Sequence, residues 1–533
     1  MPSHPVRTVP PRGERISPAI STDRAALASF EEDAARSRGE ARGVVRPRSE
    51  AEIAELLLRA GREGTGVLAQ GARSSLTAGA TPRGDLVLAL EGLEDFELVG
   101  RSARVGPGVR LRDLNERLAP AGLWFPPVPT YDLCCVGGAV ATNAAGAATF
   151  KHGAVRPWVR ALRVVLACGE VLAIRRGEVL AAGRRFEIET SAGTILVPLP
   201  GYTTPDLKKI SCGYFVREDM DLVDLFVGSE GTLGVVTEVE LALAPRPAAI
   251  VMGLASFRDD SRALAFTRDV RDGSRELNVR SIEWVDAASL ELLRTRGKAS
   301  DAELPPPGWN LVLWEQELAE ALEDESAALA LGKGLAGEEA PAGAARALSL
   351  VGALLAKHGA ADDARIALPH DEAGRRAISR LREVVPETVN ELVAERKRGD
   401  PGVRKVAGDM VVPFERLEEM LGHYHAAFEK RGLARAIWGH VSDGNLHPNV
   451  LARSARDAAL GEEALLELGD LARALGGAPL SEHGVGKSPT KQALLRRFLG
   501  GRAVEDMVRL KRAVDPRGIL APGNIFPAGK LES

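Results

Sequence analysis

Two short stretches late in the sequence hold residues able to bind a metal and move a proton. The first, Gly439-His440-Val441-Ser442-Asp443-Gly444-Asn445-Leu446-His447-Pro448, sets two imidazoles on either side of an Asp-Gly pair. Asp-Gly between short apolar runs is a strong hairpin signal. With Asp443 and Gly444 as the turn residues, Ser442 pairs with Asn445 and Val441 with Leu446. His440 then stands opposite His447 on one face with Cβ atoms ~5 Å apart, which suits a divalent cation. A slipped register separates the two. The second stretch, Ser481-Glu482-His483-Gly484-Val485-Gly486-Lys487, adds Glu482 as a third ligand and His483 as a base. Of the nine histidines, three lie in these two stretches, so a chance pair of core or surface histidines is a poorer reading.

Three glycine-rich segments supply a different chemistry, the holding of a large planar or phosphorylated ligand by backbone. Gly71-Ala72-Arg73-Ser74-Ser75-Leu76-Thr77-Ala78-Gly79 follows a short apolar run. Its small residues let successive N–H groups turn inward as a nest for a pyrophosphate, with hydroxyls and Arg73 as further donors. It is not the G-x-G-x-x-G arrangement, so a Rossmann reading is disfavoured. The second segment, Val136 to Gly146, is short in side chain at Gly137, Gly138, Ala141, Asn143 and Gly146, and permits close approach to a planar ligand. In the third, Gly228 to Thr237, Gly231 and Gly234 bracket a turn into an apolar strand through Val236, where backbone can meet a ring edge.

The elements around these motifs are read from periodicity. Ala51 to Arg62 has helical spacing, and Val67 to Ala69, Asp85 to Leu90, Arg104 to Val109, Ala161 to Leu166 and Glu170 to Ile174 read as strands. Leu111 to Leu118 reads as a helix. Pro245-Arg246-Pro247 marks a boundary. Beyond it Ile250 to Phe257 is a strand, Ser261 to Asp272 a helix, Ala319 to Lys357 helices broken near Gly332 to Gly343, and Gly374 to Val385 a helix. The expected organisation is α+β: a mobile N-terminal arm over residues 1–40, a nucleotide-binding domain over 41–245 completed by the tail 489–533, and a second α+β domain over 246–488.

Composition excludes several classes. The 533 residues are 45% hydrophobic and 27% charged with a formal net charge of -4, which offers no field for a polyanion, so nucleic acid is not expected as a partner. The longest apolar candidate, Ala347 to Ala356, falls short of the ~18 residues that a membrane helix needs. The segment Met1 to Ile20 has no apolar core of a secretory signal. Cys134, Cys135, Cys168 and Cys212 form no C-x-x-C pair, so iron–sulfur and thiolate zinc sites are not expected and reduced thiols are.

Taken together and in order, the glycine-rich segments resemble the PCMH-type FAD-binding domain of the vanillyl-alcohol-oxidase superfamily. The resemblance covers roughly Val44 to Ala244. It returns at Pro522-Gly523-Asn524-Ile525-Phe526, and Lys209 to Tyr214 matches a Lys-x-x-x-Gly-Tyr segment. It implies a two-subdomain FAD-binding domain with an α+β cap built on an antiparallel sheet. It also implies flavin contacts at Gly71, Ala72, Arg73, Ser74, Ser75, Gly79, Gly137, Gly138, Ala141, Asn143, Gly146, Glu230, Gly231, Gly234, Val236 and Asn524. Gly71-Ala72-Arg73-Ser74 departs from the family's frequent Gly-Gly-Gly-Thr. With no His in the loop and the cysteines out of register, non-covalent FAD is expected.

G-H-x-x-D-G-N-L-H with E-H-G-x-G resembles the C-terminal domain of FAD-linked D-lactate, glycolate and D-2-hydroxyglutarate dehydrogenases. That resemblance implies a divalent metal, commonly zinc, on His440, His447 and Glu482, with His483 as base and Asn445 holding substrate or flavin. A cation for the substrate carboxylate is expected on the helix before Asp409-Met410-Val411-Val412-Pro413. Arg382 is the first choice, Arg380 the fallback and Lys405 a further candidate. The implied reaction is oxidation of a small D-2-hydroxy acid to the 2-oxo acid, with a separate electron acceptor such as an electron-transfer flavoprotein, a quinone or a cytochrome. The alternatives are a non-redox enzyme like alkyl-glycerone-phosphate synthase, a flavin-binding subunit without chemistry, and an oxidase that passes electrons to oxygen. The first has a run of His where Ser481-Glu482 stands; the second is expected to lose the motif histidines. A homodimer is the general expectation, located in the cytoplasm or at the inner face of the membrane.

Overall fold

The computed structural model describes residues 5–14, 16–300, 303–340 and 342–530. The chain divides into two units that are not two blocks of sequence. One holds the residues up to Ala145, Ala154–Pro245 and those from Leu480 onward; the other holds Gly146–Gly153 and Arg246–Pro479.

In the first unit, the helix Glu50–Glu63 starts where the Ser49 side chain accepts the Glu52 N–H and stops at Gly64 in the left-handed region. Its apolar residues recur at helical spacing, and Ile53, Ala54, Leu57 and Ala60 are buried. The helix is the crossover that a parallel sheet requires. Strands Glu40–Val45 and Val67–Gln70 both pair in parallel with Arg83–Ala89 between them. The C-terminal tail extends this sheet: Val67 N–H donates to Ile519 O at 2.7 Å and Ala521 N–H to Val67 O at 2.8 Å. A buried Lys511–Asp515 ion pair at 2.8 Å, with Lys511 also donating to Thr232 O and Leu520 O, fastens the tail. A second, antiparallel sheet runs in the order Phe96–Val99, Ser102–Val105, Val235–Ala242, Val159–Val165, Val171–Arg175.

The described residues before Glu40 are not a free arm. Val6–Arg7 pairs in parallel with Arg185–Thr190, and Ser21 bridges Val44. The boundary expected near Ser488 also moves. Ser481 to Ser488 sits with the first unit, because Leu480 O and Ser481 O accept hydrogen bonds from Ser211, and Lys487 is buried in the nucleotide-binding half.

In the second unit one sheet runs Arg365–Ala367, Ala249–Phe257, Asn310–Leu318, Val279–Val285, Arg435–His440, Asn445–Val450, Val406–Ala407, with Met410–Val411 also paired to Asn445–Val450. All its pairs are antiparallel. Along Asn310–Leu318 the side chains alternate between two cores. Val312 and Trp314 join a cluster with Phe266, Ile282 and Trp284; Leu311 and Leu313 join one with Val285, Leu290 and Leu381. The helix Glu372–Gly399 covers the second face. It runs past Val385, where the sequence reading ended it, with Pro386 inside. Proline lacks the N–H that would bond the carbonyl four residues back, at Arg382, and burial of Val389, Leu392 and Val393 outweighs that loss.

Candidate functional site

In the second unit the motif hairpin has a longer loop than expected. Val441–Asp443 forms a 3-10 turn closed by Gly444 at φ 72°, so His440 pairs with Asn445 and Trp438 with His447. Val441 is fully buried in the main core and Gly444 O accepts the Val412 N–H at 3.0 Å, so tertiary packing selects a four-residue loop over the two-residue turn. The expected direct opposition of His440 and His447 is therefore incorrect. The slip is even, however, and a period of two returns each side chain to the same face. The two buried rings lie edge to face with centroids 5.5 Å apart.

Each imidazole has a carboxylate behind it. His440 Nδ1 is 2.5 Å from Glu283 Oε1, and His447 Nδ1 is 3.5 Å from Asp409 Oδ1. At His440, a proton on Nδ1 facing the Glu283 carboxylate leaves Nε2 as the lone-pair atom, the arrangement that backs a metal-ligating histidine. His447 and Asp409 belong to a group of His and carboxylate donors that could hold a metal ion, and His440 is not among them. Asn445, fully buried, donates from Nδ2 to Met410 O at 3.0 Å and to Asp409 Oδ1 at 3.3 Å.

Arg382 belongs to the same polar network. Its guanidinium lies 3.7 Å from Glu283 and 3.6 Å from Glu315, and Glu315 also pairs with Arg280. Two carboxylates, Glu283 and Glu315, thus face the guanidinium groups of Arg382 and Arg280. Arg380, the fallback, is exposed and pairs with Glu387, whereas Lys405 donates to Asn390 Oδ1 at 2.8 Å.

In the first unit, residues 483–487 form a strap tied at nearly every step. Thr77 Oγ1 donates to His483 O at 3.4 Å, and Thr77 O accepts the Lys487 N–H at 2.9 Å. Glu230 accepts the N–H groups of Val485 at 2.8 Å and Gly486 at 2.7 Å, and Gly486 O accepts the Ile525 N–H at 3.0 Å. The Lys487 ammonium, buried, donates to Thr81 O at 2.6 Å. Gly484 stands at φ 74°, and a Cβ there would meet the Glu230 carboxylate at 3.1 Å. Glu482 lies 3.3 Å from the fully buried Lys209 ammonium and 3.5 Å from His483 Nε2. Burial pushes the Glu230 carboxyl up to about 7, against the pull of its two backbone donors.

The glycine-rich segments meet in this unit. Glu230 N–H donates to Ala141 O at 2.8 Å, joining the third segment to the second. Asn524 Nδ2 donates to Gly79 O at 3.0 Å and Glu230 O at 3.1 Å, joining the tail to the first and third. Ser75 Oγ accepts the N–H groups of Thr77 and Gly79. Gly234 is required: a Cβ there would stand 2.3 Å from Val164. Gly71, Ala72, Ser74 and Gly231 lie in loops outside the strands and helices, and Val236 pairs with Val164 across the sheet. The segments fit a flavin in two respects. Gly138 is exposed with nothing within 4 Å of a Cβ position, and the buried Asn524 Oδ1 accepts no hydrogen bond among the described residues. Asn143 Oδ1 accepts the Arg156 N–H at 2.9 Å, and Arg73 pairs with Glu91 at 3.0 Å over the Phe30 ring. Gly146 falls in the other unit, where the helix Thr149–His152 is held by Glu317 through Lys151 and His152. Cys134 and Cys135 are buried free thiols, and burial raises the pKa of both.

Sequence reasoning missed Glu283, Glu315, Glu317, the carboxylate of Asp409 and the strap-holding role of Glu230. One signal was present. Glu283 interrupts the apolar strand Val279–Val285, and a charge within a buried strand asks for a partner.

Comparison with known proteins places the chain. Residues 246–525 match the family described as FAD linked oxidases, C-terminal domain, and residues 41–175 the FAD binding domain. The glycolate oxidase subunit GlcD of Bacillus subtilis (strain 168) is 28% identical over 491 residues, 91% of this chain and 88% of that protein. The mitochondrial D-2-hydroxyglutarate dehydrogenase of Bos taurus is 26% identical, covering 96% of this chain and 82% of its own. A solved alkyldihydroxyacetonephosphate synthase superposes with a TM-score of 0.58 at 14% identity, over 97% of this chain and 88% of the other, a likeness of fold. No helix among the described residues is long and apolar enough to cross a membrane.

Proposed function

The chain belongs to the FAD-linked oxidases, and from that premise we propose that it oxidises a small D-2-hydroxy acid to the corresponding 2-oxo acid. When bound, non-covalent FAD accepts a hydride at N5 and a divalent metal, zinc by the motif's resemblance, acts as a Lewis acid toward the α-hydroxyl. By the motif's resemblance, His440, His447 and Glu482 would hold the metal. His483 takes the hydroxyl proton as general base. Arg382 receives the substrate carboxylate, and Asn445 supplies a further polar contact. Electrons then pass to a separate acceptor.

One observation carries this reading. The two motif imidazoles share a buried face, His440 with the Glu283 carboxylate at 2.5 Å from Nδ1 and His447 with Asp409 3.5 Å away, and Arg382 stands beside Glu283. A buried pair of histidines kept for packing alone has no need of that arrangement. Glu283 orients His440 and at the same time sets the direction of Arg382, so the metal ligand and the anion receptor are positioned by one carboxylate.

The test is the visible spectrum of the purified protein, recorded without oxygen before and after adding a panel of D-2-hydroxy acids and their L-isomers. Bleaching of the flavin bands by a D-acid and not its L-isomer is the expected result. Bands that no hydroxy acid bleaches would sink the dehydrogenase reading and move the weight to a non-redox use of the flavin, as in the synthase alternative.

A further inference from the structure

We propose that Glu230 is a positioning residue: its carboxylate clamps the strap that carries Glu482 and His483, instead of contacting the flavin as the sequence resemblance implied. The inference rests on the assignment of His483 as the base.

The geometry is specific to a clamp. Both carboxylate oxygens of Glu230 are engaged, Oε1 by the Val485 N–H at 2.8 Å and Oε2 by the Gly486 N–H at 2.7 Å. Two consecutive amides turned to one side make a nest for an anion, and here the anion is a side chain of the same chain. The strap pays for the close approach with Gly484 at φ 74° and Gly486 at φ 55°. Glu230 itself stands at φ 53°, outside the usual range for a side-chain-bearing residue. Its backbone is held on both sides, with N–H on Ala141 O and carbonyl on Asn524 Nδ2. The residue is therefore fixed by the second glycine-rich segment and the tail, and passes that fixity to the strap two residues beyond His483. Thr77, from the first glycine-rich segment, grips the same strap at His483 O and Lys487 N–H. The segments that form the flavin cradle thus also set the height of the imidazole. Proper placement of a base within an ångström is worth large factors in rate.

The experiment uses the full-length protein with its flavin. Hydrogen exchange, resolved to the amides of Val485 and Gly486, compares the wild type with Glu230→Gln and Glu230→Asp. At a pH well above 7, where the Glu230 carboxyl is ionised, Gln presents one N–H donor to the nest and loses a charge-assisted bond, so these two amides should exchange about ten- to a hundredfold faster. Amides of the helix Gly501–Val514 should not change, and the flavin absorbance should remain. With a D-acid that bleaches the flavin, kcat should fall with KM nearly constant, and Glu230→Asp should restore part of both protection and rate. Loss of flavin from Glu230→Gln with strap protection unchanged would overturn the proposal and return Glu230 to the cofactor. So would fast exchange of Val485 and Gly486 in the wild type, a result that needs no variant to fold. If no D-acid bleaches the wild type, the dehydrogenase reading fails while the exchange data still decide the clamp.

Discussion

Replacing Glu317 by Gln should loosen the second unit by an amount that depends on pH in a defined way. Glu317, on the strand Asn310–Leu318, is bonded by Lys151 and by His152 Nε2 at 2.8 Å, and Asn278 Oδ1 accepts from the same Lys151 at 2.6 Å. Burial alone would raise its pKa, but the hydrogen bonds from His152 and Lys151 outweigh burial and lower it from 4.5 to about 2. At about 1.4 kcal/mol per pH unit, that shift amounts to about 3 kcal/mol of stability held by the ionised form. Gln has the shape of the protonated acid, so Glu317→Gln should cost roughly this amount at pH 7. The sign follows from a depressed carboxylate. The contribution is complete above the unfolded value of 4.5 and is lost as pH falls toward 2, because the unfolded chain binds a proton that the folded one does not. The gap between wild type and variant should narrow by about 1.4 kcal/mol per unit as pH falls below 4.5. Urea unfolding followed by tryptophan fluorescence reports mainly on this unit, which holds four of the six tryptophans, Trp284, Trp309, Trp314 and Trp438, with flavin absorbance as the separate signal of the other. Equal midpoints at pH 7, or a gap that does not narrow in acid, would refute the argument.

Other outcomes are expected around the site. His483→Gln should lower the rate of flavin reduction by about 10²- to 10⁴-fold with metal content unchanged, measured by anaerobic stopped flow and elemental analysis. Glu283→Gln should weaken metal affinity by about 10- to 100-fold, read by competition with a chelator, since it removes the carboxylate behind His440 Nδ1. Arg382→Lys keeps the charge but loses the planar fork, so KM for the hydroxy acid should rise about tenfold or more while the flavin spectrum stays; an unchanged KM would remove Arg382 from the substrate site.

Much of the architecture was legible because its signals are local. The helix Leu111–Leu118 is found where its apolar spacing placed it, and the strand Ala249–Phe257 where the run after Pro245 to Pro247 put it. Where elements ended was less legible. The helix through Arg382 runs on past Pro386 because Val389, Leu392 and Val393 have a core to enter, which no local rule reveals. The N-terminal segment reads as polar and loose, yet Val6–Arg7 finds a partner strand some 180 residues away.

The sequence alone determined which residue types cluster: three glycine-rich segments, two imidazoles around Asp-Gly, and Glu482 beside His483. These follow from backbone freedom and side-chain chemistry, properties of each residue and its near neighbours. Tertiary structure alone decided the partners. The hairpin register came from burial of Val441 and from Val412 bonding Gly444; the carboxylates at His440 and His447 came from strands and loops 157 and 38 positions away in the chain. Glu230 lies 255 residues from the strap it holds. Such pairings are set by how sheets stack and tails return, and long-range packing leaves no period in the sequence to read.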